Sequence, residues 1–181
     1  MGETVSEWLT TNGLCFGPVD EGLGALTPAE GWDACNRSDW LVAALGALGT
    51  ANSDELRGFA CEAVESCISS APDTRSASCA MMVWAVIDGA LESKDLDTSI
   101  LDAQSAARAS WADGDNAGAA AADAALFCVL HAKCDGLDFF ASCLEKVAIA
   151  RARNPKTVDT IESVRFELAR SLKAIISNPF K

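Results

Sequence analysis

Ala119-Ala-Ala-Ala-Asp-Ala-Ala-Leu-Phe-Cys-Val-Leu-His-Ala132 is the stretch whose reading decides the fold. Laid on a helix, its apolar residues cover nearly every side, with Asp123 and His131 as the only interruptions. Such a helix must be enclosed by other helices. The flanking sequence supplies them. Leu56, Phe59, Ala60, Ala63, Val64, Cys67 and Ile68 fall on one continuous helical stripe, which Pro72 stops. Cys79, Val83, Val86, Ile87, Ala90 and Leu91 keep the same spacing in the next segment, and Val158, Ile161, Val164, Leu168, Leu172 and Ile175 keep it in the last. β-Branched residues are too scattered to form strand-like runs, and helix is the only regular element the pattern supports.

Punctuation fixes the boundaries. A short helix is expected over Val5 to Thr11, followed by an irregular connection marked by Gly13, Gly17, Pro18, Gly22 and Gly24. Thr27-Pro28-Ala29-Glu30 spells a capping box with proline at the first helical position, and the helix it opens is short. Ser38 reads as the cap of a helix from Asp39 to Leu48 that Gly49 ends, and Asn52 with Glu55 as a further capping box. Asp73 or Thr74 starts the next helix. Asp97 caps one from Thr98 to Ala112, closed by Asp113-Gly114. The enclosed helix runs from Asn116 to Lys133, another opens at Asp138 and runs to Arg153, and the last spans Thr157 to Ser177. From Gly49 onward the connections are only a few residues long, which predicts antiparallel neighbours. Trp84-Ala-Val-Ile-Asp-Gly89 echoes Trp111-Ala-Asp-Gly114, two helices that end alike rather than a solenoid repeat.

The resulting expectation is an all-α, single-domain bundle of about seven to eight helices around a buried alanine-rich central helix. It spans residues 1–181, with 1–26 an irregular N-terminal segment carrying one short helix and 27–177 the bundle. Half of the 181 residues are apolar and 22% are charged, a composition that argues against general disorder.

Twenty-six acidic against 14 basic side chains leave a formal charge of -12, which repels phosphate backbones and anionic lipid and favours a basic protein partner. Nucleic acid and membrane are therefore excluded as expected partners. The start Met-Gly-Glu-Thr-Val-Ser-Glu-Trp has no basic region followed by an apolar core, so the eight cysteines read as free thiols in a reducing cytoplasm rather than as a disulfide framework. Cys61, Cys67, Cys79, Cys128 and Cys143 fall at apolar helical positions, where a thiol behaves as a small hydrophobe. Gly2 with Ser6 matches a myristoylation pattern only formally, because Glu3 suits it badly.

Little in the chain points to catalysis. There is no nucleophile elbow, phosphate-cradling glycine loop, His-Glu-x-x-His or calcium-loop pattern. Cys128, His131 and Cys134 share a spacing of three on one helix, but the first and last are displaced around it and no second ligand pair follows, so no metal site and no cofactor is expected. His131, the sole histidine, and Asp123 are the residues an enzymatic or small-ligand bundle would use, since polar groups in an apolar helix must be paired or useful. Asp95 with Asp97, and Asp113 with Asp115, are paired acids that could grip a cation or a basic partner, but both pairs read mainly as helix capping. Trp32, Trp40, Trp84 and Trp111 read mainly as core.

Trp32-Asp-Ala-Cys-Asn-Arg-Ser-Asp-Trp-Leu41, Phe59-Ala-Cys-Glu62, Trp111-Ala-Asp-Gly114 and the alanine-rich helix that follows bring in a resemblance. The chain, from about Leu26 to Arg153, resembles a group of alanine-rich helical bacterial and phage proteins that includes immunity proteins of polymorphic toxin systems. Where that group usually has Arg-Pro before its middle helix, this chain has Arg75-Ser76. The resemblance implies an all-helical, non-catalytic, partner-binding role and supplies no functional residues.

The functional expectation is a non-catalytic protein-binding module docking a basic partner through acidic residues, with Asp33, Asp39, Asp113 and Asp115 as the contact residues. The alternatives are a ligand-binding or enzymatic bundle at His131 and Asp123, and a subunit that self-associates as a homodimer through an apolar helix face.

Overall fold

The computed structural model describes residues 2–14, 21–49 and 53–181. They form ten α-helices and one 3-10 turn, with no strand among the described residues. The all-α expectation holds, but the count exceeds seven to eight because the N-terminal third folds as short pieces. By contact the chain divides into two compact units, residues 1–51 with 166–181 and residues 52–165.

In the first unit, α1 (Val5–Thr11) is opened by a capping box between Thr4 and Glu7. A single helical turn, α2 (Glu21–Gly24), stands where the glycines predict only irregular chain. The capping box of Thr27 and Glu30 is formed as read from the sequence, with Pro28 at the first position of α3 (Pro28–Ala34). Ser38 does not cap α4 (Ser38–Leu48). It is the first helical residue, buried, and Arg37 precedes it without a side-chain cap. Gly49 ends α4 in the left-handed region at φ 62°, a conformation glycine adopts without steric cost. Asn52 lies outside the described residues. The tail of the chain, from Phe166, belongs to this unit, and Lys173 Nζ donates to the carbonyls of Asp33 and Cys35 at the C-terminal end of α3.

The second unit holds the deciding stretch. Its helices are α5 (Ser53–Ile68), α6 (Thr74–Ile87), the 3-10 turn Ser93–Leu96, α7 (Asp97–Ala112), α8 (Asn116–Cys134) and α9 (Leu137–Arg153). Residues up to Arg165 of the last helix, α10 (Ile161–Ile175), complete it. α8 is in contact with α5, α6, α7 and α9. Ala119 to Ala122, Ala124, Ala125, Cys128, Val129 and Ala132 are all buried. By length and apolarity α8 also passes the test for a membrane span, the only described helix that does; its burial among four helices is what that apolarity serves here.

Packing between α7 and α8 is built from small side chains, while α5 and α9 bring Phe59, Phe140 and Leu144 into the core. Each buried methyl contributes only about 0.8 kcal/mol by area, so stability depends on many of them meeting closely. The buried face of α7 is Ser99, Ala103, Ala106, Ala107 and Ser110, and Ala106 and Ala107 form one cluster with Ala122 of α8. A Cβ added at Gly118, in the first turn of α8, would stand 2.9 Å from Cδ of Pro72. The predicted stripe of α5 is buried from Leu56 to Cys67, with Ile68 half-buried.

Other boundaries also differ from expectation. α6 ends at Ile87, so Ala90 and Leu91 fall beyond it. The 3-10 turn takes the place of the cap assigned to Asp97, which becomes the first residue of α7. α10 starts at Ile161 rather than Thr157 because Thr160 and Ser163 cap each other, Ser163 N donating to Thr160 Oγ1 at 3.1 Å and Thr160 N to Ser163 Oγ at 2.9 Å. Val158 is consequently fully exposed instead of lying on the buried stripe.

Candidate interaction surface

Because α7 buries its small residues, it turns its large apolar ones outward. Leu101 is 63% exposed and Trp111 46% exposed, so Trp111 is not core as its apolar neighbours predict. On α6 of the same unit Met81 is 70% exposed. The remaining tryptophans read as core are Trp32, buried, and Trp40 and Trp84, half-buried; Trp84 Nε1 donates to Glu65 at 2.9 Å.

Trp111 stands in the last turn of α7, directly before the corner to α8. Asp113 is the C-cap of α7 with its side chain exposed, and Gly114 turns the chain at φ 73°. Asp115 is the N-cap of α8, its carboxylate accepting from Gly118 N at 2.9 Å. A large aromatic ring and two carboxylates thus follow within five residues at one exposed corner. An indole face accepts a cation and carboxylates pair with one, so the corner suits Lys or Arg.

The other two predicted contact residues lie in the first unit and are engaged within it. Asp33, at the end of α3, accepts from Asn178 Nδ2 at 2.9 Å and Lys181 Nζ at 2.7 Å, and these two partners hold its carboxyl below the usual range. Asp39, in the first turn of α4, is ion-paired with Arg37, whose guanidinium also lies 5.4 Å from the Trp40 ring centre. Asp33 and Asp39 therefore belong to one unit and Asp113 and Asp115 to the other.

The residues an enzyme would use have structural partners. Asp123 pairs with Lys146 Nζ at 2.7 Å. His131 is 1% exposed, with its ring 5.2 Å from that of Phe140 and Nδ1 3.2 Å from the Gly136 carbonyl, to which an Nδ1–H donates. Nε2 is buried with no hydrogen-bond partner. Burial in these apolar surroundings lowers the His131 pKa and keeps the ring neutral. Beside it, Arg57 bridges Asp54 at 2.9 Å and Asp135 at 2.6 Å. Asp135 ends α8 in the left-handed region at φ 52°. Asp95 accepts from Glu92 N, and Asp97 pairs with Lys133.

The thiols are placed as small hydrophobes. Cys61 and Cys128 meet with sulfurs 3.8 Å apart, both buried, and burial pushes Cys67 up to about 12 and Cys79 up to about 11. A thiol held that high stays protonated and is a poor nucleophile or ligand. Cys128 is buried while Cys134 is exposed, which separates the ends of the Cys128, His131, Cys134 series, and no group of three His, Cys, Asp or Glu side chains among the described residues is placed to hold a metal.

No family model matches this sequence, and no curated protein or solved structure is significantly similar to it.

The exposure of Trp111 had no signal in the spacing: Ser99, Ala103, Ala106, Ala107 and Ser110 form a small-residue stripe, and Trp111 falls on its edge, four residues after Ala107.

Proposed function

We propose that the chain is a non-catalytic protein-binding module of the immunity type, docking a basic partner at the α7–α8 corner through Trp111, Asp113 and Asp115. The observation that carries this reading is the exposed Trp111 two residues before the exposed Asp113, in a chain of net charge -12. Tryptophan is the side chain whose truncation costs most at protein interfaces, and an acidic rim speeds the approach of a basic surface. Of the polar residues that a catalytic reading would need, Asp123 is paired with Lys146 and His131 is buried with Nδ1 against the Gly136 carbonyl. Cytoplasmic residence is part of the same proposal.

The test uses the partner isolated with the full chain as bait and then purified. Trp111→Ala is expected to weaken its affinity at least tenfold, and Asp113→Asn to lower the association rate and flatten its dependence on salt. Unchanged affinity and salt dependence in both variants would remove this corner from the interface. Self-association through exposed apolar residues of the same unit is the competing reading, favoured by the exposure of Met81, Leu101 and Trp111. Sedimentation at two concentrations separates the two.

A further inference from the structure

The first unit contains an apolar cleft with an unfilled volume of about 50 Å³, walled by Trp8, Trp32, Trp40, Leu9, Leu41 and Phe180. One of these walls comes from the tail of the chain. The Phe180 ring stands edge-on to Trp8 at 5.2 Å and 87°, and tilted against Trp32 at 6.4 Å. Rings at these separations and angles attract one another beyond the area they bury.

The tail is fastened by polar contacts at its margin. Asn178 Nδ2 donates to the Ala29 carbonyl at 2.8 Å and to Asp33, Lys181 Nζ pairs with Asp33, and Phe180 N donates to Asn178 Oδ1 at 3.0 Å. Lys181 and Asp33 keep 64% and 53% of their side chains exposed, so that bond is held only weakly.

We propose that this cleft is a binding site for a small neutral aromatic molecule whose entry displaces the Phe180 ring, with the tail Asn178–Lys181 as its gate. The resident ring shows what the walls accept. Size makes displacement obligatory, since a dry apolar cavity of roughly 150 Å³ is what holds a benzene and the space left beside Phe180 is far smaller. The ligand is neutral because the walls are almost entirely carbon, which leaves a charge inside without a partner. The site lies within the first unit and is independent of the interface proposed above.

Indole is the probe, titrated by calorimetry and by ligand-observed NMR into the full chain. Phe180→Ala is expected to bind it at least tenfold more tightly than the original sequence. Asp33→Asn, which loosens the tail and touches no wall of the cleft, is expected to tighten binding severalfold and to sharpen the backbone NMR signal of Lys181. Benzoate, the charged counterpart, should bind none of the three measurably. The proposal is overturned if folded Phe180→Ala binds indole no better than the original chain, or if benzoate binds as well as indole. Should Phe180→Ala fail to fold, Asp33→Asn decides alone, and an indole affinity equal to that of the original chain overturns the gate.

Discussion

At the α7–α8 contact of the unit of residues 52–165 helices meet through methyl groups, Ala106 and Ala107 against Ala122, whereas in the unit of residues 1–51 and 166–181 Trp8 of α1 and Trp32 of α3 both pack on the Phe180 ring of the tail. Methyl packing leaves no slack, because the helix backbones themselves set the spacing. Ring packing leaves gaps that rigid flat groups do not fill, and the cleft beside Trp32 is one. The α7–α8 contact should therefore resist enlargement of a side chain and the cleft absorb it.

The same substitution placed in both units breaks or sharpens this contrast. Ala122→Leu forces an isobutyl group into the α7–α8 contact and is expected to cost about 1–3 kcal/mol in guanidinium unfolding. Ala44→Leu, at a half-buried position lining the cleft, should leave stability unchanged or raise it by up to about 1 kcal/mol. Equal losses at the two positions would show that the units are packed alike.

A smaller effect reads the buried imidazole of His131. His131 has a pKa below its ordinary 6.5 in the folded chain, so the unfolded chain takes up its proton first as the pH falls. Stability is then full above about 6.5 and declines from there down through the folded-state value. Asp135 nearby favours the charged ring and Arg57 opposes it, but burial dominates both. Unfolding midpoints measured from pH 7 to pH 5 should fall for the original chain and stay level for His131→Leu. A level profile in the original chain would place the ring in water.

The enclosed helix was legible in the sequence because its apolar residues follow no face, and the Thr27 capping box because its signal is local to four residues. Features set by tertiary contact were not. Ser38 has every property of a cap but is drawn into the helix and buried, and Thr157 lost its start to the reciprocal bonds of Thr160 and Ser163. Of the candidate contact residues, all four acids could be located in advance. That Asp33 is engaged could not be read, since its partners Asn178 and Lys181 are about 145 residues away in sequence, whereas Asp39 and Asp115 find theirs in Arg37 and the Gly118 N–H within three residues. Trp111 was misread as core because large apolar residues usually face inward; here the alanines of α8 select the smallest face of α7 instead.

Native-state hydrogen exchange tests the enclosure of α8 most directly. The amides from Ala120 to Ala132 are expected to exchange only through global unfolding, with protection that tracks total stability across denaturant concentrations. Exchange of these amides through local openings, as fast as that of the short helix α1, would contradict it.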